Sequence, residues 1–421
     1  MADIRSAYTD SVNFFGSCSP RELAERFGTP LYVYSEKILR KCCRELVSMC
    51  SVPGFGVNYS VKANSNPALL KIAREEGVTV DAMSPGELHM DLLAGFDADS
   101  ILYISNNISP AEMRNAIDHK LLVSVDSLSQ LDMYGRFNPG GKVMVRFNPG
   151  IGAGHHKKVI TAGKETKFGV CPEDYDSVVA LLAKYNLTLA GVNQHIGSLF
   201  MQADGYVQAA EVLLHLIDAM PESMRAAIEV IDFGGGFGIP YHKYENEPRL
   251  DLAALGAGLD ALLGAWREKS GYSGRFLVEP GRYVAAECGL VLGSVEAVKN
   301  NGPRRYVGTD IGFNVLQRPV MYGSFHDVEI YGADQAERPV MEQTLVGNIC
   351  ESGDILAKER LWPEMREGDV VAMLDAGAYG FSMSSSYNTR CLAAEVLITE
   401  AGEARLIRRR QTLDDLTAAL V

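Results

Sequence analysis

The chain has 421 residues, 47% of them apolar and 22% charged, enough to bury a large core and to form two domains. Acidic residues exceed basic ones, 53 to 40, and a net charge of −13 argues against a nucleic-acid partner or an anionic membrane surface. The N-terminus has no basic stretch followed by an apolar one, no apolar run is long enough to cross a bilayer, and the eight scattered cysteines form no C-x-x-C, so a reduced, cytoplasmic protein without metal site or disulfide framework is expected.

In chain order, residues 20–27 predict a short helix closed by Gly28, Leu31–Tyr34 a strand, and residues 35–49 a second amphipathic helix. Apolar, β-branched runs then recur at 55–62, 77–83, 100–105, 121–126, 143–147, 189–194, 228–233 and 275–278. Segments of helical period lie between them, at 67–76, 85–94, 110–119, 174–185, 206–220 and 252–269, several opening on a Ser, Pro or Asp that starts or caps a helix. Eight such alternations predict an α/β fold, a closed parallel (β/α)8 TIM barrel, with an open doubly wound sheet as the alternative. After Arg282 the helical rhythm stops. Strand-like runs at 291–298, 327–331, 343–346, 370–374 and 394–398, then a short helix at 412–420, predict a second, mostly β C-terminal domain, a β-sandwich or Greek-key barrel.

The C-terminal edges of the eight runs carry the chemistry: Lys62, Asp81 with Ser84, Asn106 with Asn107, Asp126, Arg146 with Asn148, His195 with Ser198, the Gly234-Gly235-Gly236 turn, and Glu279 with Arg282. A closed barrel brings these edges to one mouth. Lys62 follows Phe55, Val57, Tyr59 and Val61, so it is expected to enter an apolar wall where lost hydration lowers its pKa and frees a nucleophilic amine; otherwise it is a strand-end lysine whose ammonium returns to water. The turn Gly234 to Gly238 can offer backbone N–H groups to a phosphate, though alone it reads as a tight turn, and no G-x-G-x-x-G or G-x-x-x-x-G-K-[ST] spacing supports a nucleotide. Taken singly, His195 reads as a core histidine and Glu279 as a helix-capping or salt-bridged acid. Together, an amine, an anion nest, a flat stacking partner and a carboxylate meet the demands of pyridoxal 5'-phosphate, which needs all four.

Six ordered motifs carry a resemblance: Tyr59-Ser60-Val61-Lys62-Ala63-Asn64, His195-Ile196-Gly197-Ser198, Gly234-Gly235-Gly236-Phe237-Gly238, Glu279-Pro280-Gly281-Arg282, Cys350-Glu351-Ser352-Gly353-Asp354 and Asp375-Ala376-Gly377-Ala378-Tyr379-Gly380. Over almost the whole chain it resembles the diaminopimelate decarboxylases, pyridoxal-phosphate enzymes of the alanine-racemase-like fold. The resemblance implies a cofactor-binding barrel at 30–280 and a β-domain from 1–29 plus 281–421 that completes the site. It implies that Lys62 carries the cofactor, His195 stacks on its ring and Glu279 binds the ring nitrogen. Asp81, Ser198, Gly234, Gly235, Gly236, Pro280, Gly281, Arg282 and Tyr379 complete the cofactor site. Arg282, Arg318, Tyr322, Glu351 and Tyr379 would contact an amino-acid substrate, and Cys350 would donate a proton across the interface of a homodimer.

Elementary chemistry agrees with these roles: forked guanidinium groups suit a substrate with a second carboxylate, and a thiol is a competent proton donor near neutral pH. The plainer readings are a buried inert thiol for Cys350 and surface ion pairs for Arg282 and Arg318. The chain departs from the family at Phe313, Val315 and Gln317, and at Leu199-Phe200, positions expected to touch the wall near the substrate. A basic loop, His155-His156-Lys157-Lys158 before Thr161-Ala162-Gly163, reads as a lid or a solvated charge run. The implied activity is decarboxylation of meso-2,6-diaminopimelate to L-lysine. The alternatives are a decarboxylase of lysine, ornithine or a related amino acid, or a racemase or non-catalytic binder, against which the Cys350-Glu351 pair speaks.

Overall fold

The computed structural model describes residues 7–148, 153–154, 166–334 and 337–421. The chain divides into two compact units: Lys41–Ile239 with Arg249–Val284, and Met1–Arg40 with Pro240–Pro248 and Ala285–Val421.

Strand β1 (Leu31–Ser35) belongs to the second of these. The next eight, β2 (Phe55–Tyr59), β3 (Thr79–Ala82), β4 (Ile101–Ile104), β5 (Leu122–Val125), β6 (Lys142–Arg146), β7 (Thr188–Asn193), β8 (Val230–Asp232) and β9 (Arg275–Val278), close a barrel in the order β8-β9-β2-β3-β4-β5-β6-β7. Every pairing is parallel. These are the eight predicted runs, and the open sheet is excluded. Leu102, Ile104, Met144, Val230 and Leu277 cluster inside it.

The helices between the strands start where the chain makes them start. Asn66, Ser84 and Ser109 each accept a backbone N–H with the side chain, and each is followed by a proline whose missing donor costs nothing at that position. Glu112 also returns a bond to the Ser109 N–H, closing a capping box. Among the helices outside the predicted segments is Leu128–Phe137. Its interior Gly135 lowers helical propensity, but a Cβ there would lie 2.2 Å from the Tyr185 ring, so close packing selects the glycine.

The second unit is built on a nine-stranded sheet that adds β10 (Gly289–Asn301), β11 (Arg304–Thr309), β12 (Val328–Tyr331), β13 (Val340–Val346), β14 (Ile355–Pro363), β15 (Val370–Met373), β16 (Ala394–Ile398) and β17 (Ala404–Arg408) to β1. Its main path runs β14-β13-β11-β10-β1-β16-β17, and β15 joins β10 to β12. The first half of β10 pairs with β1 and β15, and past an irregularity between Val295 and Ala297 its second half pairs with β11.

Strand β1 falls beyond the expected boundary at residue 30, yet it pairs with β10 and β16 and not with the barrel. Its pattern explains why. Leu31 and Val33 enter a core with Phe14, Phe15, Leu23, Leu290, Leu292 and Val396, while Tyr32 and Tyr34 on the other face donate to the Val315 carbonyl (2.5 Å) and Glu395 Oε1 (2.7 Å). The segment Pro240–Pro248 is drawn into the same unit by buried Lys243, whose ammonium meets Glu287 Oε1 at 2.5 Å, Asp375 Oδ1 at 3.3 Å and the Pro240 carbonyl at 2.7 Å. The basic loop at 155–163 lies outside the described residues.

Candidate active site

The strand β2 stops at Tyr59 and the chain turns into a single 3-10 turn, Val61–Ala63. Three bonds hold this turn at the barrel mouth: Ser60 N–H to the Pro280 carbonyl (3.3 Å), Ser60 Oγ to the Glu279 carbonyl (3.2 Å), and Val61 N–H to Asp81 Oδ1 (3.0 Å). Val61 and Ala63 are buried, but Lys62 between them is exposed. The expectation that apolar neighbours strip Lys62 of water is therefore corrected: the strand ends at Tyr59, and the 3-10 turn, at about 120° per residue, points Val61 and Ala63 to sides other than that of Lys62. What surrounds the amine is charge. Lys62 lies within electrostatic reach of Asp81, Glu87, Glu279 and His195.

Glu279, at the end of β9, is 5% exposed, and no N–H donor reaches its Oε1. Burial raises its pKa, while Asp232, Lys62 and Arg146 pull it back. Its Oε2 is 4.0 Å from His195 Nδ1. That contact is not an ion pair, because His195 Nδ1 accepts the Gly235 N–H at 3.0 Å, and burial, then Lys62 and Arg146, hold the imidazole well below its usual pKa. His195 is thus a neutral, flat ring fixed beside the Glu279 carboxyl group. Asp81 is pushed up to about 8, first by burial and then by Glu279, with Lys62 opposing.

The glycine turn after β8 is forced by packing. A Cβ on Gly235 would lie 1.8 Å from the Glu279 carbonyl oxygen, on Gly234 2.3 Å from that of Gln194, and on Gly236 2.5 Å from that of Gly197. The Gly234 N–H donates to Asp232 Oδ1 (2.8 Å) and the Gly235 N–H to His195. The predicted anion nest is therefore narrowed: among the described residues, only the N–H groups of Gly236 and Phe237 in this turn remain for an anion. Beside them Arg282, 5% exposed, donates from Nη2 to Ser198 Oγ at 2.9 Å, which excludes the surface ion pair. The departure at Phe200 lies behind the turn: its ring packs on Tyr206 and Phe237 (5.0 and 5.1 Å), and its backbone bonds Gly236 and Gly238.

Lys62, Asp81, His195, Ser198, Gly234, Gly235, Gly236, Glu279, Pro280, Gly281 and Arg282 all belong to the barrel unit, at the C-terminal strand ends. Arg318, Tyr322, Cys350, Glu351 and Tyr379 belong to the sheet unit. There Arg318 is 2% exposed, donating to the Tyr241 hydroxyl (2.7 Å) and Ser324 Oγ (3.1 Å), again no surface pair. Cys350 is exposed, not a buried thiol. Asp354 ties its turn to the Phe313 segment by accepting the N–H groups of Ile349 (2.8 Å) and Phe313 (2.7 Å), and Tyr387 both stacks on Phe313 (5.6 Å) and donates to Glu351 Oε1 (3.0 Å).

One residue now stands out that residue patterns had not marked at this site: Asp232, fully buried beside Glu279. Arg146, named above at a strand end but without a role, is 6% exposed and lies within reach of Glu279, Asp126 and Asp232. An acid ending an apolar strand was the only signal for Asp232. A pyridoxal group fits the set on one observation above all: Glu279 is a buried carboxyl group beside Asp232 that no N–H donor reaches among the described residues, and a protonated ring nitrogen supplies one.

Residues 37–286 match the family model of the pyridoxal-dependent decarboxylases, pyridoxal binding domain. The chain is 40% identical to the diaminopimelate decarboxylase of Methanothermobacter thermautotrophicus, covering 95% of this chain and 94% of that one, and 34% identical to that of Escherichia coli K12, covering 94% of each. Its fold is similar to that of diaminopimelate decarboxylase from Helicobacter pylori complexed with L-lysine, with a TM-score of 0.86, 27% identity, and coverage of 95% of this chain and 98% of the other. The chain belongs to the diaminopimelate decarboxylase family of pyridoxal-dependent decarboxylases.

Proposed function

We propose that the protein binds pyridoxal 5'-phosphate and decarboxylates meso-2,6-diaminopimelate to L-lysine and CO2. What supports this is that the Lys62 amine and the Glu279 carboxyl group, which no N–H donor reaches among the described residues, lie within electrostatic reach of each other and of neutral His195. When bound, pyridoxal 5'-phosphate supplies a conjugated sink for the electron pair that departing CO2 leaves on the α-carbon.

Lys62 presents the amine that retains the aldehyde, and the turn pinned by Asp81 fixes where that amine starts. Glu279 accepts the ring N–H, and its anionic charge keeps that proton in place. His195, neutral and braced by Gly235, offers a face for stacking. Gly236, Phe237, Ser198 and Arg282 suit the phosphate, with Pro280, Gly281 and Tyr379 completing its surroundings. Arg318, Tyr322, Glu351 and Tyr379 hold the substrate, whose second carboxylate calls for a rigid guanidinium, and Arg318 is held rigid by Tyr241 and Ser324. Cys350 returns a proton to the α-carbon, in a homodimer whose two chains share the sites; its exposure leaves the thiol accessible for this.

The purified protein should take up pyridoxal 5'-phosphate, turn yellow and be bleached by borohydride, with the label trapped on Lys62. It should release CO2 from meso-diaminopimelate but not from L-lysine or L-ornithine. Release from lysine or ornithine alone overturns the substrate assignment, and full turnover by Cys350→Ala removes the proton donor.

A further inference from the structure

We infer that Asp232 is a positioning residue that holds a proton against Glu279 and so keeps the Glu279 carboxylate anionic toward a pyridine ring nitrogen. The inference rests on the pyridoxal reading above and adds to it a residue that does not touch the ring.

The two acids are mounted on one glycine. Asp232 Oδ1 accepts the Gly234 N–H at 2.8 Å, and the Gly234 carbonyl accepts the Glu279 N–H at 2.9 Å. Asp232 is 0% and Glu279 5% exposed, and each keeps one buried oxygen, Asp232 Oδ2 and Glu279 Oε1, that no other residue's donor reaches. Two ionised carboxylates so placed would repel each other without water to screen them. One shared proton turns them into an acid and a carboxylate joined by a short, charge-assisted hydrogen bond.

The surroundings decide which acid carries the proton. Arg146 from β6 acts on Glu279 more strongly than on Asp232, and Lys62 from the turn after β2 also favours a charge on Glu279. Asp232 is pushed far above the carboxylate range by burial, then by the charge of Glu279, with Asp81 from β3 adding to the push and only the Gly234 N–H opposing it strongly. His195 after β7 is neutral, and Tyr206, from the helix Ala203–Asp218, is held in its phenol form by burial and by these same acids. The proton therefore sits on Asp232. A carboxylate that already accepts one hydrogen bond is a weaker base. The proton shared between Glu279 and the ring therefore stays on the nitrogen, the state in which the ring draws electrons best.

Asp232→Asn keeps an acceptor for Gly234 and a donor for Glu279, whereas Asp232→Leu keeps neither. In the protein stripped of cofactor, the infrared difference between wild type and Asp232→Asn at neutral pH should show the loss of one protonated carboxylic-acid carbonyl band. On titration with pyridoxal 5'-phosphate, Asp232→Leu should bind roughly 10- to 100-fold more weakly, the range for a lost hydrogen bond to a charged group, with a shifted visible spectrum. Asp232→Asn should restore the spectrum and bring binding back to within about threefold. The inference is overturned if no acid band is lost in Asp232→Asn, or if Asp232→Leu binds with unchanged affinity and spectrum. If Asp232→Leu does not fold, the infrared band decides. Should the acid band be present while no variant, nor the wild type, takes up pyridoxal 5'-phosphate, the pyridoxal reading fails and the shared proton stands.

Discussion

Asp91, in the helix Pro85–Ala94, is 0% exposed, and neither carboxyl oxygen has a hydrogen-bond partner. Burial, then Asp81 and Glu87, push its pKa up to about 9 from 3.8. A group whose pKa is higher in the folded than in the unfolded chain adds stability in full below the unfolded value and loses it as pH rises toward the folded one. Folding at neutral pH must therefore take up a proton, at about 1.4 kcal/mol per pH unit between roughly pH 4 and 9, or about 4 kcal/mol by pH 7. Asp91→Asn has nearly the same shape and no titration, so its amide desolvation is a constant offset. Urea unfolding from pH 5 to 8 should find the variant gaining on the wild type by about 1.4 kcal/mol per pH unit, about 4 kcal/mol across the range. A difference that does not change with pH would mean that Asp91 is ionised in the fold, and the reasoning about this row of buried acids would be wrong.

Gly235→Ala puts a Cβ 1.8 Å from the Glu279 carbonyl oxygen, so β8 and β9 must part or the turn must move. Expected are a loss of at least about 1–3 kcal/mol in thermal unfolding and no uptake of pyridoxal 5'-phosphate; unchanged values for both would refute it. Lys243→Met leaves Glu287 and Asp375 buried without their cation, which should destabilise by about 3–5 kcal/mol in urea. Adding Asp375→Asn should recover part of that loss, and the loss is smaller below pH 7, since burial already holds Asp375 at about 7 and a protonated acid needs no cation. Equal losses at pH 6 and pH 8 would count against it.

Most of the barrel was legible because its strands are buried on both faces and read as continuous apolar runs between capped helices. The sheet unit was less so. Strands β11 and β14 carry runs of charge, Arg304-Arg305 and Lys358-Glu359-Arg360, that mask their pairing, and β17 is Arg-rich with its apolar Leu406 exposed. The placing of β1 could not be read at all. Its sequence fits any buried strand, and only partners more than 250 positions later, Gly289–Leu292 and Ala394–Ile398, decide which sheet receives it.

At the candidate site, the grouping of residues at the strand ends was readable and their electrostatic state was not. Lys62 and Glu279 could be paired from strand ends alone, because a closed barrel leaves those ends nowhere else to go. Yet Asp81, Asp91, Asp232 and Glu279 are the same kind of group in sequence, and the structure makes them different acids. Glu279 has two cations within reach and leans on Asp232; Asp232 has neither cation among its chief influences and leans on Glu279; Asp91 has no hydrogen-bond partner at all. Burial raises all four, so what separates them is the sign of the nearest charge. That sign is set by contacts between strands tens or hundreds of residues apart. The charge on Glu279 is therefore a property of the closed barrel, and of Arg146 and Lys62 within it, as much as of the glutamate itself.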